Sequence, residues 1–117
     1  MLKFIAHSRC TTCKRARDFL DRNGVSYEER DITTENPTRA ELESWLAMCG
    51  QEVQKLFNTS GTRYRELKLK ARLPEMSAQE ALDLLASDGM LVKRPVLVGD
   101  DFAVFGFREA EWSEKCR

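Results

Sequence analysis

Cys10 and Cys13 stand three positions apart in the run His7-Ser8-Arg9-Cys10-Thr11-Thr12-Cys13-Lys14-Arg15. Two thiols at this spacing can exchange electrons with a disulfide, supply half of a metal site, or sit without chemistry. A structural zinc site needs four ligands, often arranged as two such pairs. The remaining candidates are Cys49, Cys116 and His7, the only histidine. Cys49 shares an apolar helix face with Leu42, Trp45 and Leu46 and reads as a buried structural thiol. Cys116 has no partner near it in sequence, and His7 reads as a hydrogen-bonded residue ending a strand. No metal is expected, which leaves redox chemistry as the leading use of the pair.

The division of labour depends on where a helix begins. Cys13, Ala16, Phe19 and Leu20 recur at three- and four-residue steps, which predicts a helix from about Thr11. Cys10 would then lie at its N-terminus, where unpaired backbone N–H groups and the helix dipole favour an anion, with Arg9 and Lys14 close by. Cys10 is therefore the expected nucleophile, with backbone N–H groups from Thr11 and Thr12 offered to its sulfur. Cys13 sits one turn on and within the apolar stripe, a position that suits a shielded resolving thiol and suits a silent one equally well.

The elements that must hold this junction follow from pattern. Leu2–Ala6 reads as a buried strand, and Gly24 is placed to end the first helix in the left-handed conformation. Val25–Asp31 is a second strand candidate, so the first two strands should be parallel with a right-handed crossover. Thr38-x-x-Glu41 and Ser77-x-x-Glu80 are capping boxes that open helices closed by Gly50 and near Gly89. Between them, Val53, Leu56 and Phe57 suggest a short helix, and Asn58-Thr59-Ser60-Gly61-Thr62 breaks the pattern. Residues 63–73 are basic and poorly periodic, predicting a turn or short helix on a solvated face. Pro95–Val98 and Phe102–Phe105 flank Gly99-Asp100-Asp101 as a hairpin, and Arg108–Lys115 reads as a last helix.

Length and charge narrow the class. A chain of 117 residues is one domain and can bury a core without staples. Basic and acidic residues both total 19, so no global charge draws it to nucleic acid or to an acidic membrane. No apolar run approaches the roughly 20 residues that cross a bilayer, and the N-terminal run is too short and too soon charged for a secretory signal. A cytoplasmic monomer is expected, in a compartment where close cysteine pairs serve catalysis more often than permanent disulfides.

The element order, βαβ then ββα with Cys-x-x-Cys at the first strand–helix junction, resembles the thioredoxin fold: α/β with a four-stranded mixed sheet. About 50 residues, roughly 38–90, would be a helical insertion within that single domain. The resemblance implies a cis-proline at Pro95, facing the cysteines and shaping an edge for substrate, with Arg94 projecting near Cys10. More narrowly, the chain resembles the arsenate reductase (ArsC), Spx and related-reductase family. The likeness is carried by Cys10-Thr11-Thr12-Cys13, "DITTENPTRAEL", "LFNTSGTRYREL", "LVKRPVLV" and "VFGFREAEW". In the family's arsenate reductases a single cysteine, at the place of Cys10, works among three arginines; here only Arg94 fills one of these places, with Asn58 and Gly106 in the others. Spx-type regulators carry the same cysteine pair as a disulfide switch and bind the C-terminal domain of the RNA polymerase α subunit. Where they have a glycine and an arginine, this chain has Glu52 and Ser60.

The resemblance therefore implies a thiol–disulfide oxidoreductase. Cys10 would be the nucleophile, Cys13 the resolving thiol and Arg94 the stabilising cation; Thr11, Thr12, Asn58 and Pro95 would hold substrate. No bound cofactor is expected. Glutathione, glutaredoxin or thioredoxin would supply electrons, and a disulfide would be the substrate. An Spx-like regulator that binds the RNA polymerase α subunit is the second reading, and arsenate reduction ranks third.

Overall fold

Phe4, Ile5 and Ala6 are fully or almost fully buried, which forces the strand that carries them into the middle of the sheet. The computed structural model describes residues 2–116. In it, strand β1 (Leu2–Ala6) pairs in parallel with β2 (Tyr27–Asp31), matching Leu2 to Tyr27 and Ala6 to Asp31. On its other side it pairs antiparallel with β3 (Val96–Val98), which pairs with β4 (Ala103–Phe105), giving the order β2-β1-β3-β4. This is the expected mixed four-stranded sheet.

Side-chain alternation splits the interior into two packing units. Phe4 and Ala6 of β1 and Leu97 of β3 join Cys13, Ala16, Phe19, Leu20 and Trp112 on one face. These come from helices α1 (Thr11–Arg22) and α6 (Glu109–Lys115). Ile5, Val96 and Val98 point the other way, into a larger cluster with Leu42, Trp45, Leu56, Leu82 and Leu85. That second face is covered by the segment between β2 and β3, including α2 (Arg39–Cys49).

Both capping boxes form. Thr38 opens α2, and Ser77 opens a second helix of this segment, Ala78–Ser87, each with reciprocal bonds between the hydroxyl residue and the glutamate three positions on. Gly50 ends α2 with φ +66°, a value that glycine adopts without steric cost. The basic stretch resolves into α3 (Thr62–Glu66) and α4 (Leu69–Arg72), separated by Lys68 at φ 55° and pinned by buried Leu69 and Leu73. Tyr64 and Leu67 pack partly against the same cluster as these leucines, and together the four positions set no single helical period, in keeping with the expected turn or short helix. The helix from Ala78 stops at Ser87, two residues before the expected Gly89, because Asp88 accepts a hydrogen bond from the Met90 N–H and caps a new 3-10 turn, Gly89–Leu91. Gly89 is needed for closeness: a Cβ there would collide with the Ile32 carbonyl oxygen. In the order of the whole chain, Ala78–Ser87 is α5.

Arg30 at the end of β2 ties the covering segment to the sheet. Its guanidinium makes a two-pronged pair with Glu41, at 2.7 and 2.8 Å, and donates to the carbonyls of Glu35 and Asn36. Glu41 is also the capping glutamate of α2, accepting from the Thr38 N–H. The Arg30 hydrogen bonds hold the Glu41 carboxyl down at about 2, against burial, which pushes the other way. Among the described residues no helix is long and apolar enough to cross a membrane.

A carboxylate held below its unfolded value contributes stability that is complete above about pH 4.5 and fades as pH falls toward 2. Arg30→Met is expected to cost about 1–3 kcal/mol near neutrality, the range for a partly buried pair. Urea unfolding at a series of pH values checks this. The gap between the parent and the variant should narrow below pH ~4.5, and a gap constant down to pH ~2 would remove the ion pair as its source.

Candidate active site

The sulfur of Cys10 takes the place of an N-capping oxygen on α1. Cys10 is extended (φ −87°, ψ 118°), and its Sγ accepts the backbone N–H of Cys13 at 3.2 Å. A tight turn delivers it there: the Cys10 N–H donates to the His7 carbonyl, and His7 Nδ1 accepts the Arg9 N–H, both at 3.1 Å. His7 is thus a turn former at the site's edge. The N–H that reaches the sulfur belongs to Cys13, whereas Thr11 and Thr12 were the expected donors. The reason is N-cap geometry, which directs a capping side chain to the second or third N–H of the helix. The first turn of α1 holds no acidic side chain, so the positive end of the dipole faces Cys10 without competition.

Cys13 is fully buried in the α1/α6 cluster and is not part of any solvent-facing wall. Burial pushes its thiol up to about 12, helped by a hydrogen bond to Cys10; the His7 backbone and the Arg94 charge pull it down by less. The two thiols are both free and within hydrogen-bonding reach, one half-exposed and one shielded.

Cys10 opens onto a cleft of about 600 Å³ whose walls include Thr11, Thr12, Asn58, Arg94, Phe105 and Phe107. Backbone bonds bring these distant segments together: Asn58 N–H donates to the Leu91 carbonyl and Lys93 N–H to the Leu56 carbonyl, both at 2.8 Å. The Arg94–Pro95 peptide is cis. Arg94 donates to the Met90 carbonyl at 3.3 Å, while its Nε–H is buried without a partner, an unused donor in the cleft wall. Pro95 itself is buried and lies outside that wall; its carbonyl accepts the Gly106 N–H at 2.8 Å. The Asn58 side chain accepts from the Ser60 hydroxyl at 3.2 Å.

Charge in the cleft is one-sided. Its lining carries Arg9, Arg63, Lys93, Arg94 and Arg108 and no carboxylate. Arg63 is paired with Glu66 and Asp88, which leaves the others to set the field. Lys93 and Phe107 stand in motifs noted from the sequence, but the sequence assigns no site role to Lys93, Phe105, Phe107 or Arg108. Phe105 and Phe107 looked like ordinary strand and post-strand apolar residues, and only the pairing of β4 with β3 reveals that they border Cys10.

Cys49 departs from expectation. It is half-buried and donates to the Leu46 carbonyl at 3.4 Å, because the fully packed stripe of α2 is narrower than its apolar pattern and centres on Leu42 and Trp45. Cys116 is half-buried against the α1/α6 cluster, and burial raises its thiol. Among the described residues, no group of three or more His, Cys, Asp or Glu is arranged to hold a metal ion.

With one thiol at the cleft and the other sealed and protonated, iodoacetamide at about pH 8 should modify Cys10 at least ~100-fold faster than Cys13. Peptide mass spectrometry over a time course reads this directly. Comparable rates for the two would contradict the burial assigned to Cys13.

The family model for the ArsC family matches residues 6–115. The uncharacterized protein YusI of Bacillus subtilis (strain 168) is 41% identical over 113 residues, spanning 97% of this chain and 96% of YusI. The global transcriptional regulator Spx of Streptococcus pyogenes serotype M3 (strain MGAS315) is 28% identical over 111 residues, spanning 95% of this chain and 81% of Spx. The crystal structure of an ArsC family related protein from Bacteroides fragilis superposes with a TM-score of 0.96 at 43% identity, covering 99% of this chain and 98% of that one. A family model over almost the whole chain, with relatives matched from end to end, agrees with the fold described above: the chain belongs to the ArsC family.

Proposed function

We propose that this chain is a thiol–disulfide oxidoreductase. The observation that carries the reading is the asymmetry of the pair: Cys10 caps α1 at the floor of an open cationic cleft, and Cys13 lies sealed beneath it in contact. In the first step the Cys10 thiolate attacks one sulfur of a substrate disulfide. The S–S bond breaks, the distal sulfur leaves as a thiolate and takes a proton, and a mixed disulfide remains on Cys10. In the second step Cys13 loses its proton and attacks the Cys10 sulfur, releasing the second substrate thiol. The protein has then given up two electrons and holds a Cys10–Cys13 disulfide, which glutathione, a glutaredoxin or a thioredoxin would reduce.

The mixed disulfide itself favours the second step. Cys10 is among the groups that hold the Cys13 proton, by hydrogen bond and by charge. Once the Cys10 sulfur is bonded to substrate it carries no charge, so that hold weakens and Cys13 ionises more readily. Arg94, whose charge already favours the Cys13 thiolate, acts in the same direction.

The second reading, a redox-sensing regulator that binds the RNA polymerase α subunit, is favoured by the similarity to Spx along almost the whole chain. Against it stand Glu52 and Ser60, both exposed where the resemblance calls for glycine and arginine. Arsenate reduction is disfavoured by Asn58 and Gly106 at two of the three arginine places.

Glutathione-driven reduction of bis(2-hydroxyethyl) disulfide separates these readings. Cys10→Ser should abolish turnover. Cys13→Ser should retain the first step and accumulate the mixed disulfide, visible by intact mass. Because the thiolate fraction of a thiol far below its pKa rises tenfold per pH unit, the resolving step should accelerate about tenfold between pH ~6 and ~7. No turnover, together with redox-dependent capture of the RNA polymerase α subunit's C-terminal domain, would replace the enzyme reading with the regulator. Arsenate-dependent thiol consumption at a comparable rate would instead revive arsenate reduction.

A further inference from the structure

Gly106 has φ +86°, and a Cβ built on it would lie 2.9 Å from Lys93 Cε and 3.6 Å from Nζ. The end of the Lys93 side chain therefore crosses the face of Gly106, and a larger residue at 106 would push it away. Both backbones are fixed where they meet. Gly106 donates to the Pro95 carbonyl at 2.8 Å, its own carbonyl accepts the Trp112 indole N–H at 3.0 Å, and Lys93 N–H is held by Leu56. The ammonium, in contrast, has no ion pair or hydrogen-bond partner among the described residues, although Lys93 is half-buried. Arg108, exposed two residues after Gly106, also borders the cleft and is likewise unpaired among the described residues.

Glu111 borders an adjoining groove that Lys93 and Arg108 also line, but it forms no ion pair with either. Toward the cleft, whose lining holds no carboxylate, the partly desolvated Lys93 cation loses hydration without an internal return, an arrangement that an anionic ligand there would complete. The cleft, about 600 Å³, lies in the range of small-molecule sites, and Phe105 and Phe107 give it apolar walls. We infer that Lys93, laid across Gly106 and seconded by Arg108, is an anion subsite for a carboxylate of the substrate whose sulfur reacts at Cys10. The preferred substrates are then small disulfides that carry carboxylates. The inference rests on the oxidoreductase reading above and deepens it. Lys93 takes no part in bond breaking; it positions the substrate and selects among disulfides.

Two aromatic disulfides of opposite character test it: 5,5′-dithiobis(2-nitrobenzoic acid), a dianion at neutral pH, and the uncharged 2,2′-dithiodipyridine. Single-turnover modification of Cys10 is followed in protein carrying Cys49→Ser and Cys116→Ser, with the labelled peptide identified by mass spectrometry. Lys93→Met should slow the dianionic reagent about five- to tenfold and the neutral one less than twofold, as expected for losing one nearby charge. Lys93→Arg should restore the difference, and Gly106→Ala should reproduce the selective loss by displacing the lysine. A Lys93→Met change that slows both reagents equally, or neither, overturns the subsite and leaves the oxidoreductase standing. Failure of Cys10 to react with either reagent in the parent protein overturns both.

Discussion

Ile5 of β1 lies opposite Val96 of β3, and the two strands run in opposite directions. The exit of one strand and the entry of the other are therefore at the same end of the sheet. Chain leaving β1 becomes the turn that delivers Cys10 to the head of α1, and chain entering β3 is the Lys93-Arg94-Pro95 segment. A distance of more than 80 positions in sequence is closed by one antiparallel register. The Asn58 loop then follows, because backbone bonds from Lys93 and Asn58 tie it to the same segment. A one-residue slip in this pairing would turn Val96 and Val98 out of the large cluster and Leu97 out of the small one, so burial on both faces locks the register.

The inequality of the two cysteines has the same origin. Once β1 is central, α1 must pack on it through Cys13, Ala16, Phe19 and Leu20, which removes Cys13 from water. Its neighbour one turn earlier is left at the helix N-terminus, where its own sulfur is the side chain that meets one of the spare N–H groups. Helix geometry alone thus converts two identical thiols into one that is presented and one that is withheld. The raised Cys13 thiol is a consequence of core packing and needs no dedicated catalytic residue.

The sequence made the periodic parts legible: the α1 stripe, both capping boxes, the Gly50 stop and the hairpin around Gly99 have local causes. The cysteine pair at a strand–helix junction was legible for the same reason. What could not be read was anything set by two segments meeting. The walls made by Phe105 and Phe107 need the β3–β4 pairing, and the burial of Pro95 needs its bond to Gly106. The donor to Cys10 was misassigned to Thr11 and Thr12, although cap stereochemistry pointed to Cys13. Residues 63–73, expected as a turn or short helix, form two short helices whose division at Lys68 had no periodic signal, because they are held from outside by Leu69 and Leu73 reaching the core. The arginine places filled by Asn58 and Gly106 looked like plain losses of charge, and only coordinates show that a bare Gly106 is what lets Lys93 lie there.

The division of the interior by the sheet has a mechanical consequence. Cys10 and Phe107 pack with the α1/α6 cluster, whereas Phe57 and Phe105 pack with the larger cluster on the opposite face, and all four border the cleft. The cleft is thus the seam between two bodies that otherwise communicate through the strands. A molecule bonded to Cys10 and resting against the Asn58 loop would therefore touch both packing units at once, bridging across the sheet's edge what the strands alone otherwise join.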